Sequence, residues 1–539
     1  MWGAASAARS LFARVHVPVE WRIDSGKPYR DPFRDVSVDA VITGPGGARQ
    51  TVPAFWAGDQ SFGIRYAAAA PGKYQWRTVS TDTANPQLHG LEGTLDVEPY
   101  DGDNPLYRHG PLRVSASRRH LVYADGTPFF WLADTWWMAL TKRLSWPDGF
   151  QRLTADRRTK GFNVIQLVAG LFPDMDSFDP RGENEAGFPW TPGYERIRPE
   201  YWDMADLRIQ HLVARGLTPC ILGCWGYYLP KLGLEKMKQH WRTIVARWGA
   251  YPVVWCLAGE TSMPWYLSTR KDAEREELKA GWTEVARYVR HIDPFQRLVT
   301  AHPSQTGRDS VTDPSVLDFD MLQTGHSDRK SIPNTIRTLT KQYAVEPRMP
   351  VINGEVNYEG ILAASREEIQ RFMFWTCVLN GACGHTYGAN GIWQVNLPGQ
   401  PYGPSPHGRS WGDTPWEEAM NLPGSAQTGW AARWLRTLPW EKFEPHPEWV
   451  DPHWTAENYE APSAAGIPGR MRVVYLPAPA GYPVTLRGLE PGVAYRAKLV
   501  NPVNGDQLGW MPVEAREGSW RHPQIALMQD WLLYIERAA

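Results

Sequence analysis

Val253-Val254-Trp255-Cys256-Leu257-Ala258-Gly259-Glu260 is an apolar run that stops at an acid. A run of this length, apolar on both alternating faces, reads as a strand buried on both sides. The pattern recurs in Pro350-Val351-Ile352-Asn353-Gly354-Glu355. Six more apolar runs share it: Pro128–Ala133, Phe162–Val168, Leu217–Gly223, Leu298–Ala301, Phe319–Gln323 and Ala382–Tyr387. Helical periodicity fills the gaps. Leu234, Met237, Trp241, Ile244, Val245 and Trp248 fall on one helix face, as do Leu278, Trp282, Val285, Val289 and Ile292. Strand then helix, eight times in roughly 300 residues, predicts an α/β fold: a (β/α)₈ TIM barrel over residues 106–430.

On either side the period changes to two. In residues 1–105, Val15, Val17, Val19, Trp21 and Ile23 alternate with other residues, and so do Val36, Val38, Ala40 and Ile42. Gly44-Pro45-Gly46-Gly47 and Pro71-Gly72 read as turns. The first of these is not a phosphate loop, because no Lys-Ser/Thr follows it. In residues 431–539, Val493, Tyr495, Ala497 and Leu499 alternate, Asn504-Gly505 marks a hairpin, and Trp531–Ile535 is a closing strand. Both flanks are expected to be β-sandwiches.

Composition narrows the function. Of 539 residues, 57 are Lys or Arg and 58 Asp or Glu, so the basic surplus that nucleic-acid binding needs is missing. No apolar run approaches a membrane span. Met1–Arg14 lacks the apolar core of a signal peptide. The expected compartment is therefore cytoplasmic, or periplasmic or secreted if a leader has been removed. Cys220, Cys224, Cys256, Cys377 and Cys383 are too few and too irregular for a disulfide framework and read as free thiols. The 28 Trp exceed ordinary usage. They supply core, and also flat faces on which sugars stack. Oligomeric state is not legible.

Barrel active sites sit at the C-terminal strand ends. Strand 1 leads to Asp134, Trp136 and Trp137. Strand 2 carries Gln166 and leads into a long loop with Asp174, Asp176, Asp179 and Trp190. Strand 3 leads to Trp225, strand 5 to His302, strand 6 to His326. Strand 8 carries His385 and Tyr387, with Trp393 beyond. Glu260 and Glu355 end strands 4 and 7, which face each other across the mouth. Paired carboxyls flanking one bond are what glycosidic cleavage requires. One must be a protonated acid and the other ionised, so their surroundings must push their pKa values apart. Tyr358 follows Glu355 closely enough to hydrogen-bond it, and Glu359 is the alternative carboxyl should Glu355 be buried and paired. The loop acids lack EF-hand spacing and read as a solvated face. Two other readings are open: a glycan-binding or adhesion protein on a degenerate barrel, and a hydrolase with a metal held by His302, His326 and His385. No close-spaced metal motif supports the second, so neither metal nor cofactor is expected. The expected partner is an oligosaccharide or polysaccharide.

At Asn104–Pro111, Ala124–Trp137 and Gly384–Gly388 the chain resembles the apiosidase-like glycoside hydrolases. The flanks are similar to the β-domains that often accompany this module; the C-terminal one resembles a domain sometimes labelled collagen-binding, without that label implying function. The resemblance implies a retaining glycosidase clan in which Glu260 is the acid/base and Glu355 the nucleophile, acting on a plant or bacterial glycan. Two departures stand out. Gly259 occupies a position where the wider clan usually has Asn, and Glu260 stands where the nearest apiosidase relatives have Asp. The sugar 2-OH contact that Asn would make is then expected from Gln166 or His302.

Overall fold

The computed structural model describes residues 9–478, 483–523 and 528–538. The start of the segment read for a leader, residues 1–8, lies outside them. Eight parallel strands form the central sheet: Trp131–Thr135, Val164–Val168, Thr218–Leu222, Val254–Cys256, Val299–Thr300, Asp320–Gln323, Val351–Glu355 and Gly384–Tyr387, called barrel strands 1 to 8. Strand 1 pairs with both strand 2 and strand 8. Nearly all their residues are buried, as continuous apolar runs require when helices cover the outer face and side chains fill the interior.

Strand 5 is only Val299–Thr300 and pairs in the sheet with strand 4 alone. The ring is completed by the lead-in to strand 6. Asp318 N donates to Val299 O at 2.8 Å and Thr300 Oγ1 donates to Phe319 O at 2.9 Å. Asp318 Oδ2 accepts Val299 N at 2.7 Å. Helices Asp148–Lys160, Pro199–Ala214, Leu234–Trp248, Lys271–Ile292, Ile332–Ala344, Glu367–Leu379 and Pro423–Leu435 follow every strand but the fifth. There only the short 3₁₀ turns Arg308–Ser310 and Pro314–Val316 intervene. This departs from the expected eightfold alternation, and Pro303, Gly307 and Pro314 in so short a segment explain it.

The anticipated helix faces are the buried ones: Trp241, Ile244 and Trp248 on one helix, Trp282, Val285 and Val289 on the next. Trp241 packs edge-on against Trp255 of strand 4, 5.9 Å between centroids. Trp131, Trp190, Trp202 and Trp375 are likewise fully buried. Much of the tryptophan surplus is therefore core.

The N-terminal sandwich has a five-stranded sheet in the order Arg9–Arg14, Glu92–Glu98, Gly72–Ser80, Val38–Thr43, Arg49–Pro53, and a three-stranded sheet of Val19–Asp24, Ser61–Tyr66 and Phe55–Trp56. The alternation beginning at Val15 is strand only from Val19. Residues 15–18 turn, with Val17 N bonded to Arg14 O and His16 at φ 63°. The C-terminal flank has six- and three-stranded sheets. Its Asn504-Gly505 turn is closed by Gly505 N to Asn501 O at 2.8 Å, with Gly505 at φ 84°. The expected break at 430 falls inside helix Pro423–Leu435, whose Ala431, Ala432 and Leu435 belong to the barrel core.

The N-terminal sandwich is bolted to the barrel by Asp206. It accepts from Arg65 Nη2 at 2.5 Å, Arg247 Nη1 at 2.8 Å and Trp248 Nε1 at 2.6 Å. Burial would raise this carboxyl, but Arg247 and Arg65 overcome it and hold its pKa below the ordinary value. Its contribution is therefore complete above the unfolded-state carboxylate pKa and is lost as pH falls through the lower folded value. Asp206→Asn should cost about 3 kcal/mol at neutral pH, because it removes the buried carboxylate that Arg65 and Arg247 share and leaves them only the less buried Glu20 and Asp203. It should also flatten the acid limb of stability. Urea unfolding at pH 7 and pH 3 checks both, and equal stability of variant and parent at pH 7 would contradict the assignment.

Candidate active site

Barrel strands 4 and 7 deliver Glu260 and Glu355 to one cavity of about 320 Å³ at the C-terminal strand ends. Strand 7 runs straight to Glu355, which is buried. Glu260 lies past the end of strand 4 in the left-handed region, at φ 43°. A non-glycine residue held there is strained, a condition concentrated at functional sites.

A single amide links the two acids. Gln323 Nε2, at the end of strand 6, lies 3.2 Å from Glu260 Oε1 and 3.2 Å from Glu355 Oε1. Those oxygens can be no farther apart than twice that distance. Each acid also has partners of its own. His326 Nε2 is 2.7 Å from Glu355 Oε1. His302 Nε2 is 3.1 Å from Glu355 Oε2, while its Nδ1 faces the Glu260 amide at 3.4 Å. Trp225 Nε1 donates to Glu260 Oε2 at 3.3 Å.

The two environments act in opposite directions. Burial, then the charge of Glu355, push Glu260 up to about 7, with the Gln323 bond opposing. Burial would raise Glu355 too, but His302 and His326 more than cancel it and hold Glu355 well below the carboxylate range. Near neutral pH the cavity thus presents one carboxylate and one carboxyl that can still carry a proton.

Tyr358 is fixed tightly beside them. Its ring stacks on His326 at 4.9 Å and on Trp393 at 5.8 Å, and its hydroxyl accepts from Trp137 Nε1 at 3.0 Å. Burial and the Glu355 charge keep that hydroxyl protonated. A Cβ at Gly388 would lie 2.1 Å from the Tyr358 ring, so glycine is required there. Gly259 has a matching explanation. A Cβ there would come within 2.1 Å of Trp225 Cε3. The indole occupies the space an Asn side chain would need.

Of the residues expected from sequence, Glu260, Glu355, Trp137, Trp225, His326, Tyr358 and Trp393 line this cavity, with His302 touching Glu355 from behind. Five do not line it. Asp134 is fully buried and pairs with Arg157 Nε at 2.6 Å, which turns it toward helix Asp148–Lys160. Trp136 donates to Asp134 Oδ2 at 2.7 Å and packs edge-on against Phe150. Gln166 is buried in the barrel interior, where Nε2 donates to Gly354 O at 3.0 Å and steadies the backbone just before Glu355. His385 packs against Phe374 between sheet and helix, and burial lowers its pKa to about 3. Tyr387 donates to Glu359 Oε2. Glu359, the alternative carboxyl, is buried on that bond and on Gly424 N. Because strand neighbours face opposite sides of a sheet, only some residues at a strand end can reach the mouth.

Several lining residues had no sequence signal. Gln323 ends its strand and was legible only as part of a run. Met263, Tyr266, Ile361, His407 and Trp411 come from long loops. Asp174 is not on a solvated face: it is buried on the cavity wall beside Tyr266, and burial raises its pKa. Among the described residues, no group of three His, Cys, Asp or Glu side chains is arranged to hold a metal ion. No described helix is long and apolar enough to cross a membrane.

Comparison with known proteins follows the geometry. Residues 13–81 match a domain of unknown function, DUF5060. No curated protein matches. A solved structure described as a putative glycoside hydrolase from Bacteroides vulgatus superposes with TM-score 0.68 at 16% identity, covering 98% of this chain and 100% of its own. A glycoside hydrolase family 5 structure from the same organism gives TM-score 0.66 at 24% identity, covering 80% and 93%. A third, described only as a glycoside hydrolase, gives 0.67 at 23%, covering 81% and 98%. At such identities these similarities establish the fold. The family itself is set by residues 115–442, which match the model of the apiosidase-like catalytic domain: the chain belongs to the apiosidase-like glycoside hydrolases.

Proposed function

We propose that this enzyme is a retaining glycoside hydrolase acting on a plant or bacterial glycan, with Glu355 as nucleophile and Glu260 as acid/base. The observation that carries the reading is two carboxyl groups in one cavity, joined through Gln323, whose surroundings push their proton affinities apart. Retaining enzymes hold the pair about 5–5.5 Å apart and inverting ones about 6.5–9.5 Å. One oxygen of each acid lies within reach of the single Gln323 amide nitrogen, which supports the closer, retaining arrangement.

In the first step Glu355 attacks the anomeric carbon as the glycosidic C–O bond breaks. The leaving oxygen takes the proton of Glu260. In the second, Glu260, now ionised, removes a proton from water, whose oxygen attacks the glycosyl–Glu355 ester and frees the carboxylate. His302 and His326 keep Glu355 ionised before the first step. Trp137, Trp225 and Trp393 offer apolar faces to the sugar and exclude water from the pair.

Glu355→Gln should lower turnover of aryl glycosides about 10⁴-fold or more. Glu260→Gln should cost about 10²–10⁴-fold on poor leaving groups and far less on activated ones. A panel including furanosides and plant and bacterial polysaccharides is the assay. Undiminished function in both variants would instead fit a glycan-binding protein.

The pH profile follows from the raised carboxyl. Glu260 must enter the first step protonated, so turnover should hold below its pKa and fall as pH rises through about 7. A rate still rising from pH 7 to 9 would contradict the acid assignment. Proton NMR of the first product should reveal the anomer of the substrate; the opposite anomer would overturn the double displacement.

A further inference from the structure

A second concavity, about 1100 Å³, lies between the N-terminal sandwich and the end of the barrel opposite the mouth. It exceeds the usual range of about 300–1,000 Å³ for small-molecule sites. Its lining includes six arginines. Arg108, Arg242 and Arg290 pair with Asp103, Asp39 and Asp318. Among the described residues Arg49, Arg113 and Arg297 have no carboxylate within ion-pair distance.

The last two are held in place by neutral groups. Arg297, 6% exposed, donates to Gly249 O at 2.9 Å and Ala250 O at 3.3 Å. Arg113 donates to Leu112 O at 2.9 Å and Gln296 O at 3.3 Å. Asp293, whose charge reaches both, is already occupied by Phe295 N, Arg297 N and Trp255 Nε1. Burial lowers Arg113 against the opposing charges of Asp293 and Asp318, and burial lowers Arg297 to about 10, with Asp293 opposing and Arg113 adding a smaller push. His16, on the sandwich side, is lowered by burial and then by both arginines. Like charges gathered this way oppose one another, and an anion seated among them would relieve that cost.

We propose that this crevice is a binding site for an acidic oligosaccharide segment, with Arg49, Arg113 and Arg297 receiving sugar carboxylates. The size of the crevice fits several sugar units rather than one inorganic ion, and Tyr288 on its wall offers a ring for stacking. Fork-shaped guanidinium groups suit bidentate carboxylate recognition. The chain's formal net charge of −1 leaves no general basic surface for nucleic acid. The site lies away from Glu260 and Glu355, so it would anchor the enzyme on an acidic polymer without entering the reaction.

Native affinity electrophoresis tests it with the full chain carrying Glu355→Gln, so that the polymer is not degraded. Migration should be retarded by polygalacturonate and not by neutral glucomannan, and retardation should fade with added salt. In the Arg49→Gln/Arg113→Gln double variant, whose unchanged thermal unfolding would establish an intact fold, polygalacturonate affinity should fall at least tenfold. Arg113→Lys alone should retain more affinity than Arg113→Gln. Equal migration in acidic and neutral gels, or undiminished retardation of the double variant, overturns the proposal. Equal retardation by single-stranded RNA, or stabilisation by inorganic phosphate with no retention by the polymer, overturns the assignment to a glycan. Because binding here does not involve Glu260, these outcomes stand whichever way the turnover assays fall.

Discussion

Keeping one carboxylate charged in a buried place is the constraint on which this molecule is organised. Burial alone would neutralise Glu355. Two histidines oppose that, one from the end of strand 5 and one just beyond strand 6. Each must itself be held. His302 is fixed against the Glu260 amide and the Trp137 ring, and His326 against the Tyr358 ring. The retained charge then acts on Glu260 and helps keep that carboxyl protonated. The carboxyl past strand 4 and the carboxylate on strand 7 are thus one electrostatic unit, bridged by Gln323.

The glycines of the site follow from the same packing. Gly259 leaves room for Trp225, which donates to Glu260, and Gly388 leaves room for the Tyr358 ring. Glycine at position 259 is therefore a packing requirement of the Trp225 indole. That indole presents a broad ring to the cavity and directs its N–H at Glu260. Behind the site, Asp134, Arg157, Tyr387 and Glu359 form a buried polar layer between sheet and helices. They support strands 1 and 8 without meeting the cavity.

Much of the fold was legible because buried parallel strands leave long apolar runs and covering helices leave a 3.6-residue period. The runs ending in Glu260 and Glu355 announced the barrel and its acids together. The missing helix after strand 5 was less legible, since a two-residue strand closed by Asp318 and Phe319 hardly differs in sequence from a full one. Strand-end residues were harder still: sequence gives adjacency, and the pleat decides facing. So Trp137 and Tyr358 reached the mouth while Trp136, His385 and Tyr387 turned into the packing layers. Asp174, His407 and Trp411 lie on long loops whose course no periodicity records.

Titration of the two glutamates is the most direct test, because it needs no knowledge of the sugar. Carboxyl carbons would be followed by ¹³C NMR in the parent, Glu260→Gln and Glu355→Gln proteins. One signal should titrate near pH 7 and vanish in Glu260→Gln. A second should remain ionised far into the acid range and vanish in Glu355→Gln, where the Glu260 signal should also move down because its charged neighbour is gone. Two carboxyls titrating together near the ordinary glutamate value, or a raised signal that belongs to Glu355, would contradict the account.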